Sequence, residues 1–179
     1  ISGVIMAGVY HFIGQNDIEQ KNQITALQFK YVHYQARNYY KRQLSNWLLE
    51  KDFVKSIPTS TFMVQNAVLE KNPYGQNYSL LVRKTGDQVD AVLITQEGEN
   101  IPTKYLPNIA SMAGRSSGYT PNSDDPTPCT NCVRGVYGRW NISNLALFNI
   151  NNNQTGKIAS LISVDNFSSG ISEYLNRKK

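Results

Sequence analysis

Residues 1–56 read ISGVIMAGVYHFIGQNDIEQKNQITALQFKYVHYQARNYYKRQLSNWLLEKDFVKS, and no glycine or proline interrupts the run between Gln15 and Pro58. Helices of globular domains usually end after about 10–14 residues. At about 1.5 Å per residue, a helix of this length would reach roughly 75 Å. Its two ends differ: residues 1–13 are almost bare of charge, whereas residues 15–49 carry charges and amides. The pattern predicts one long helix over residues 1–56. Its oily end, residues 1–14, enters an apolar setting, and its polar end carries a folded head, residues 57–179. A buried N-terminal helix of an ordinary domain is the competing reading of the same pattern.

Within that helix Ile13, Ile24, Leu27, Tyr31, Tyr34, Leu44, Trp47 and Leu48 recur at spacings of three, four or their sums, which predicts one apolar stripe. Glu19, Lys21, Lys30, Arg37 and Lys41 fall opposite. Ile5, Val9, Phe12 and Ile13 are the expected membrane or bundle contacts, and Leu44, Trp47 and Leu48 the expected anchors on the head. Gly8 and Gly14 would each cost about 1 kcal/mol against alanine in water, but let helices approach closely in lipid or a bundle. A bilayer span needs about 20 apolar residues. Residues 1–13 are too few, and an upstream apolar piece is expected to precede Ile1.

The 179 residues suffice for one domain with a core, or a domain plus an extension. Charged residues are 17% of the chain, below the usual quarter, with amides, hydroxyls and 11 tyrosines in their place. That composition suits an extracellular or assembled protein. The net charge of +5 is scattered, without the basic block that tracks nucleic-acid phosphates.

After residue 57 the period changes. Residues 61–68 are β-favouring, and residues 77–83 (NYSLLVR) and 89–95 (VDAVLIT) flank Thr85-Gly86-Asp87-Gln88 as a predicted hairpin. Residues 103–113 are predicted helical after Pro102, irregular at Pro107 and closed by Gly114. Residues 116–128 read as loop. Residues 136–142, 145–148 and 157–164 are strand candidates, residues 149–156 a turn, and residues 170–179 a short helix. Strands joined by short turns favour an antiparallel sheet, so the fold class is α+β, with the long helix packed on the sheet.

Cys129 and Cys132 enclose Thr130-Asn131 behind the turn-rich Asp124-Asp125-Pro126-Thr127-Pro128. Zinc normally needs four ligands, and the two histidines, His11 and His33, lie far away in sequence. A redox CxxC would be expected at a helix start. A short structural disulfide is the favoured reading, and it implies an oxidising compartment.

Several further segments point one way: Ala91-Val92-Leu93-Ile94-Thr95, Ile101-Pro102 leading into Leu106-Pro107-Asn108-Ile109-Ala110, Gly114-Arg115-Ser116-Ser117-Gly118-Tyr119, Gly135-Val136-Tyr137-Gly138-Arg139-Trp140, and Gly156-Lys157-Ile158-Ala159-Ser160-Leu161-Ile162. With the long helix, they make the chain resemble the type IV pilins, and more narrowly the type IVb minor pilins of the PilV kind. The resemblance covers nearly the whole chain and is strongest over residues 91–162. It implies a structural, non-enzymatic subunit without cofactor or metal. Such a subunit is held in the inner membrane of a Gram-negative bacterium before joining an extracellular pilus that serves assembly, attachment or conjugation. The implied partners are other pilin subunits, the inner membrane, further copies in a homotrimer, and a cell-surface receptor reached through a C-terminal tip region absent from this chain. The prepilin cleavage signature and the glutamate at the fifth mature position have no counterpart here, as expected of a chain that starts downstream of them. A major pilin or secretion pseudopilin is the alternative within the same class.

Other chemistry was weighed. Among 13 acids only Asp124-Asp125 are adjacent, too sparse for a calcium loop of alternating carboxylates. A Ser/His/Asp triad would have to use His11 or His33. No Gly-Lys-Ser/Thr follows residues 114–118 to make a phosphate loop. Tyr31, Tyr34, Arg37, Tyr39, Tyr40, Lys41 and Arg42 could stack single-stranded DNA, or serve as a core and intersubunit surface. A periplasmic CxxC oxidoreductase and a DNA-binding minor pilin are thus the alternatives by function.

Overall fold

The structure is a computed structural model that describes residues 17–63 and 71–162. Helix α1, Ile18–Leu49, begins where the Asp17 carboxylate accepts the Gln20 N–H at 3.2 Å, with Glu19 in the first turn. Both arrangements suit the positive end of a helix. The helix stops seven residues short of the boundary expected at residue 56. Residues Phe53–Pro58 instead form strand β1 at the edge of a sheet, pairing Phe53 with Lys84 and Pro58 with Ser79. Phe53, Val54 and Ile57 favour extended backbone, and Pro58 ends an edge strand whose outer N–H row needs no partner. The turn between helix and strand is tied by a Glu50–Lys55 ion pair at 2.8 Å and by Asp52, which accepts the Gly86 N–H at 2.9 Å.

Among the described residues seven strands follow the spatial order β1-β2-β3-β7-β4-β5-β6, every pairing antiparallel. The predicted hairpin is β2 (Asn77–Thr85) and β3 (Gln88–Gln96), joined through Gly86-Asp87 with Gly86 at φ +62°. A single helical turn, α2 (Thr59–Phe62), buries Phe62 where a β-favouring stretch had been read; residues 64–70 lie outside the described residues, as does the C-terminal helix expected at residues 170–179. Helix α3, Leu106–Ala113, holds Pro107 in its first turn, where the missing N–H costs no helical bond, so the expected irregularity does not arise.

Three further expectations are corrected. The loop read at residues 116–128 contains β4, Ser117–Thr120, wholly buried between β7 and β5. Residues 136–142 divide into a 3-10 turn, Val136–Gly138, and a two-residue strand β6, Asn141–Ile142, after β5, Val133–Gly135. Leu145–Phe148 is a 3-10 turn, because the Asn144 side chain caps the Ala146 N–H at 2.9 Å. Strand β7, Lys157–Leu161, forms within the predicted stretch 157–164 and lies in the middle of the sheet.

Both faces of the sheet are covered. On one, Leu80, Val82, Ala91, Leu93 and Ile158 meet α1 and α3. On the other, Leu81, Val92, Ile94 and Leu161 lie under Trp140, Ile142, Leu145 and Phe148. Strand β3 is therefore buried along seven consecutive residues instead of alternating.

The β4–β5 contact depends on Gly118. A Cβ there would lie 2.5 Å from the Arg134 carbonyl oxygen and 2.9 Å from the Gly135 Cα. Gly118→Ala is expected to cost about 2–3 kcal/mol of unfolding free energy in urea titrations, the scale of an overpacked core. Gly86→Ala, with open space but positive φ, is expected to cost only about 1 kcal/mol.

Candidate functional site

The face of α1 that meets the sheet is not the stripe of large apolar residues. Its buried positions run Asn22, Thr25, Phe29, Val32, Ala36, Tyr40 and Trp47, at helical spacing but through amide, hydroxyl and alanine. Small side chains at Ala26 and Ala36 bring the helix close to the strands. The polar ones are satisfied across the seam. Tyr74 donates to Asn22 Oδ1 at 2.6 Å, Tyr40 donates to the Val89 carbonyl at 2.9 Å, and Thr25 donates to the Lys21 carbonyl within the helix.

Of the anchors expected from sequence, Trp47 is 4% exposed and its ring meets Tyr39, Tyr40 and Phe53 at centroid distances of 5.9, 5.9 and 6.3 Å. Leu44 is half-buried against the same core. Leu48 is not an anchor: it is 43% exposed. It lies seven and fourteen residues from Lys41 and Tyr34, on the side turned away from the sheet. Leu27, 56% exposed, and Tyr34, 59% exposed, share that side. The predicted stripe therefore divides, with Ile24 and Trp47 inward and Leu27, Tyr34 and Leu48 outward. Ile5, Val9, Phe12, Ile13 and His11 lie outside the described residues. The tyrosine–arginine cluster is also divided, since Tyr40 is buried while Tyr34 faces out.

Cys129 and Cys132 are joined by a disulfide with a Cα–Cα distance of 5.9 Å. The bridge lies in irregular chain between β4 and β5, away from any helix start that would stabilise a thiolate. Beside it Arg134 bonds the Asp125 carboxylate at 3.2 Å and the Thr127 carbonyl. Burial pushes the Asp125 carboxyl up, but the Thr127 N–H and the Arg134 guanidinium outweigh it and hold the group below its ordinary value. Among the described residues no group of three or more His, Cys, Asp or Glu could hold a metal, and no helix is long and apolar enough to cross a membrane.

Two titratable groups sit in surroundings that the sequence did not specify. His33 Nδ1 lies 2.7 Å from Ser160 Oγ on β7, and burial, then the charge of Arg37, lowers its pKa from 6.5 to about 4. Asp90, on the opposite face of β3, is pushed up from 3.8 to about 6 by burial, against the Gln88 hydrogen bond at 3.1 Å and the Arg83 charge. No sequence signal joins His33 to Ser160, 127 residues away. The Ser160 hydroxyl is fully buried, and the pair acts as a polar rivet in the seam. No protein-family model, curated protein or solved structure matches this chain.

Two predictions follow from the seam. Trp47→Ala is expected to cost about 3–5 kcal/mol of stability, and Leu48→Ala less than about 0.5 kcal/mol, both read by chemical denaturation. The titrations oppose each other. Neutral His33 stabilises the fold above pH 6.5, and this is lost as pH falls toward 4, because the unfolded chain takes up the proton first. Charged Asp90 destabilises the fold above pH 6, and that is relieved as pH falls toward 3.8. Each is worth up to about 3 kcal/mol. Asp90→Asn should stabilise the protein at pH 7 and make it lose about 2–3 kcal/mol between pH 6.5 and 4.5, while His33→Gln should gain stability over the same interval. Identical pH slopes for wild type and Asp90→Asn would refute this reading.

Proposed function

We propose that this chain is the pilin-like portion of a type IVb minor pilin of the PilV kind, a structural subunit without catalytic activity. The observation that carries the reading is the long helix itself. Thirty-two residues lie along one antiparallel sheet, and large apolar side chains at Leu27, Tyr34 and Leu48 point away from the head that the helix supports. A helix serving only its own domain would turn those side chains inward. A helix that also meets neighbouring subunits has use for both faces. The charge-poor run of residues 1–13, leading into this helix, suits anchoring in the inner membrane and later burial among other pilin helices.

On this proposal the head is a rigid cap, stapled at Cys129–Cys132 for an oxidising periplasm and cell exterior. Its partners are other pilin subunits, including further copies of itself in a tip trimer, and a C-terminal tip region would engage a cell-surface receptor. The test uses the full-length gene in its own host. The chain is expected in pili sheared from the cells, and Leu27→Arg is expected to lower its incorporation about tenfold or more, as for a central contact residue, while leaving the thermal unfolding of the isolated head within a few degrees of wild type. Absence from sheared pili, with pilus number unchanged on deletion of the gene, would overturn the proposal.

A further inference from the structure

On the head, three irregular segments line a half-open recess of about 260 Å³, bounded by Pro121, Ser123, Pro128, Thr130, Asn153 and Thr155, with Asn122 and Cys129 completing it. The volume lies just below the roughly 300–1,000 Å³ of sites for drug-sized ligands, which suits one ring seated in the recess. The walls are held by side-chain hydrogen bonds. Asn122 Nδ2 donates to the Ile101 carbonyl at 2.8 Å, Asn153 Oδ1 accepts the Asn131 N–H at 2.6 Å, and Thr155 Oγ1 accepts from Asn100 Nδ2 at 2.8 Å. The disulfide fixes the third segment.

These bonds leave specific groups uncommitted among the described residues. The Ser123 and Thr130 hydroxyls make no hydrogen bond, Asn153 keeps both Nδ2 protons, and Thr155 keeps its hydroxyl proton. All are neutral, and between them they offer donors and acceptors on a fixed frame. The exposed pyrrolidine ring of Pro128 and the half-buried Cys129 supply apolar surface between them. Lys157 is turned onto Asn100 Oδ1 at 3.0 Å and Arg134 onto Asp125, while Asp124 and Asp125 stand in the adjoining loop. An anionic ligand would therefore meet carboxylates and no available cation. A purely apolar ligand would strip water from four polar groups without replacing it.

We propose that this recess is a subsite for one neutral hexopyranose ring at the end of a glycan. Its hydroxyls would exchange hydrogen bonds with Ser123, Thr130, Asn153 and Thr155, and its C–H face would lie on the Pro128 ring. The site stands independently of the pilus reading, because it uses only the head.

The test is an amide-resolved NMR titration of the full chain with methyl glycosides of glucose, galactose, mannose and N-acetylglucosamine. Free glucose, free galactose and glucuronic acid are run beside them. At least one neutral methyl glycoside is expected to give saturable shifts confined to residues 121–123, 128–130 and 153–155. The pair Ser123→Ala and Thr130→Val, both at exposed side chains without partners, is expected to weaken that binding about tenfold, the scale of one or two lost hydrogen bonds, with thermal unfolding unchanged. No saturable shift at these residues, shifts only elsewhere, or equal binding of glucuronic acid would overturn the proposal. Binding of free hexoses but not of methyl glycosides would overturn the glycan assignment.

Discussion

The seam between the long helix and the sheet sets the position of everything else in the head. Apolar contact alone fixes such a seam poorly, because a smooth greasy face can slide by a turn at little cost. Here hydrogen bonds from opposite sides pin it at three points along the helix: Asn22 with Tyr74, His33 with Ser160, and Tyr40 with the Val89 carbonyl. Each buried polar group finds its partner in only one register, and a slip would leave all of them unsatisfied at about 1–3 kcal/mol apiece. Trp47 closes the far end, seated among Tyr39, Tyr40 and Phe53. The apolar contacts supply the bulk of the free energy, and the polar ones choose the register.

The other face of the sheet is covered by different means. No long element lies there among the described residues; Trp140, Ile142, Leu145 and Phe148 come from coil, a short strand and one 3-10 turn. Irregular chain must satisfy its backbone with side chains, and the many asparagines do this. Asn131 donates its backbone N–H to Asn153 Oδ1 and its side-chain N–H to the Ile150 carbonyl, and Asn144 caps the turn after it. The composition that looked like a solvated surface is thus partly a structural device. The same asparagines and the disulfide hold the loops that line the polar recess.

How far the sequence could be read followed from the kind of signal involved. The hairpin of β2 and β3 was legible because alternation, β-branched residues and a glycine turn agree over twenty residues. Trp47 was legible because a tryptophan on a helix is rarely left in water. The end of α1 was not, since Lys51–Ser56 carries no breaker, and the helix yields to an edge that β2 offers from 25 residues or more further along. Strand β4 was invisible because Ser-Gly-Tyr-Thr has turn composition, and only the close approach allowed by Gly118 makes it a central strand. The buried face of α1 was misjudged for the same reason that it works: alanine and asparagine approach closely, while the larger Leu27 and Tyr34, which dominate a hydrophobicity pattern, do not fit there.

That inversion bears on how the outward face can be used. Leu27, Tyr34, Lys41 and Leu48 recur every seven residues, so they form one line about 32 Å long. Lys41, an exposed polar side chain, falls in the middle of it. A single partner helix running the length of this line would have to fit this long side chain into an apolar seam. Two partners, one touching Leu27 and Tyr34 and the other touching Leu48 and Leu49, would leave Lys41 at the gap between them. On the pilin proposal this favours staggered neighbours over a side-by-side pair. In a helically stacked filament each subunit meets different copies at the two ends of its helix, and a charged break between two short apolar contacts is the arrangement such stacking requires.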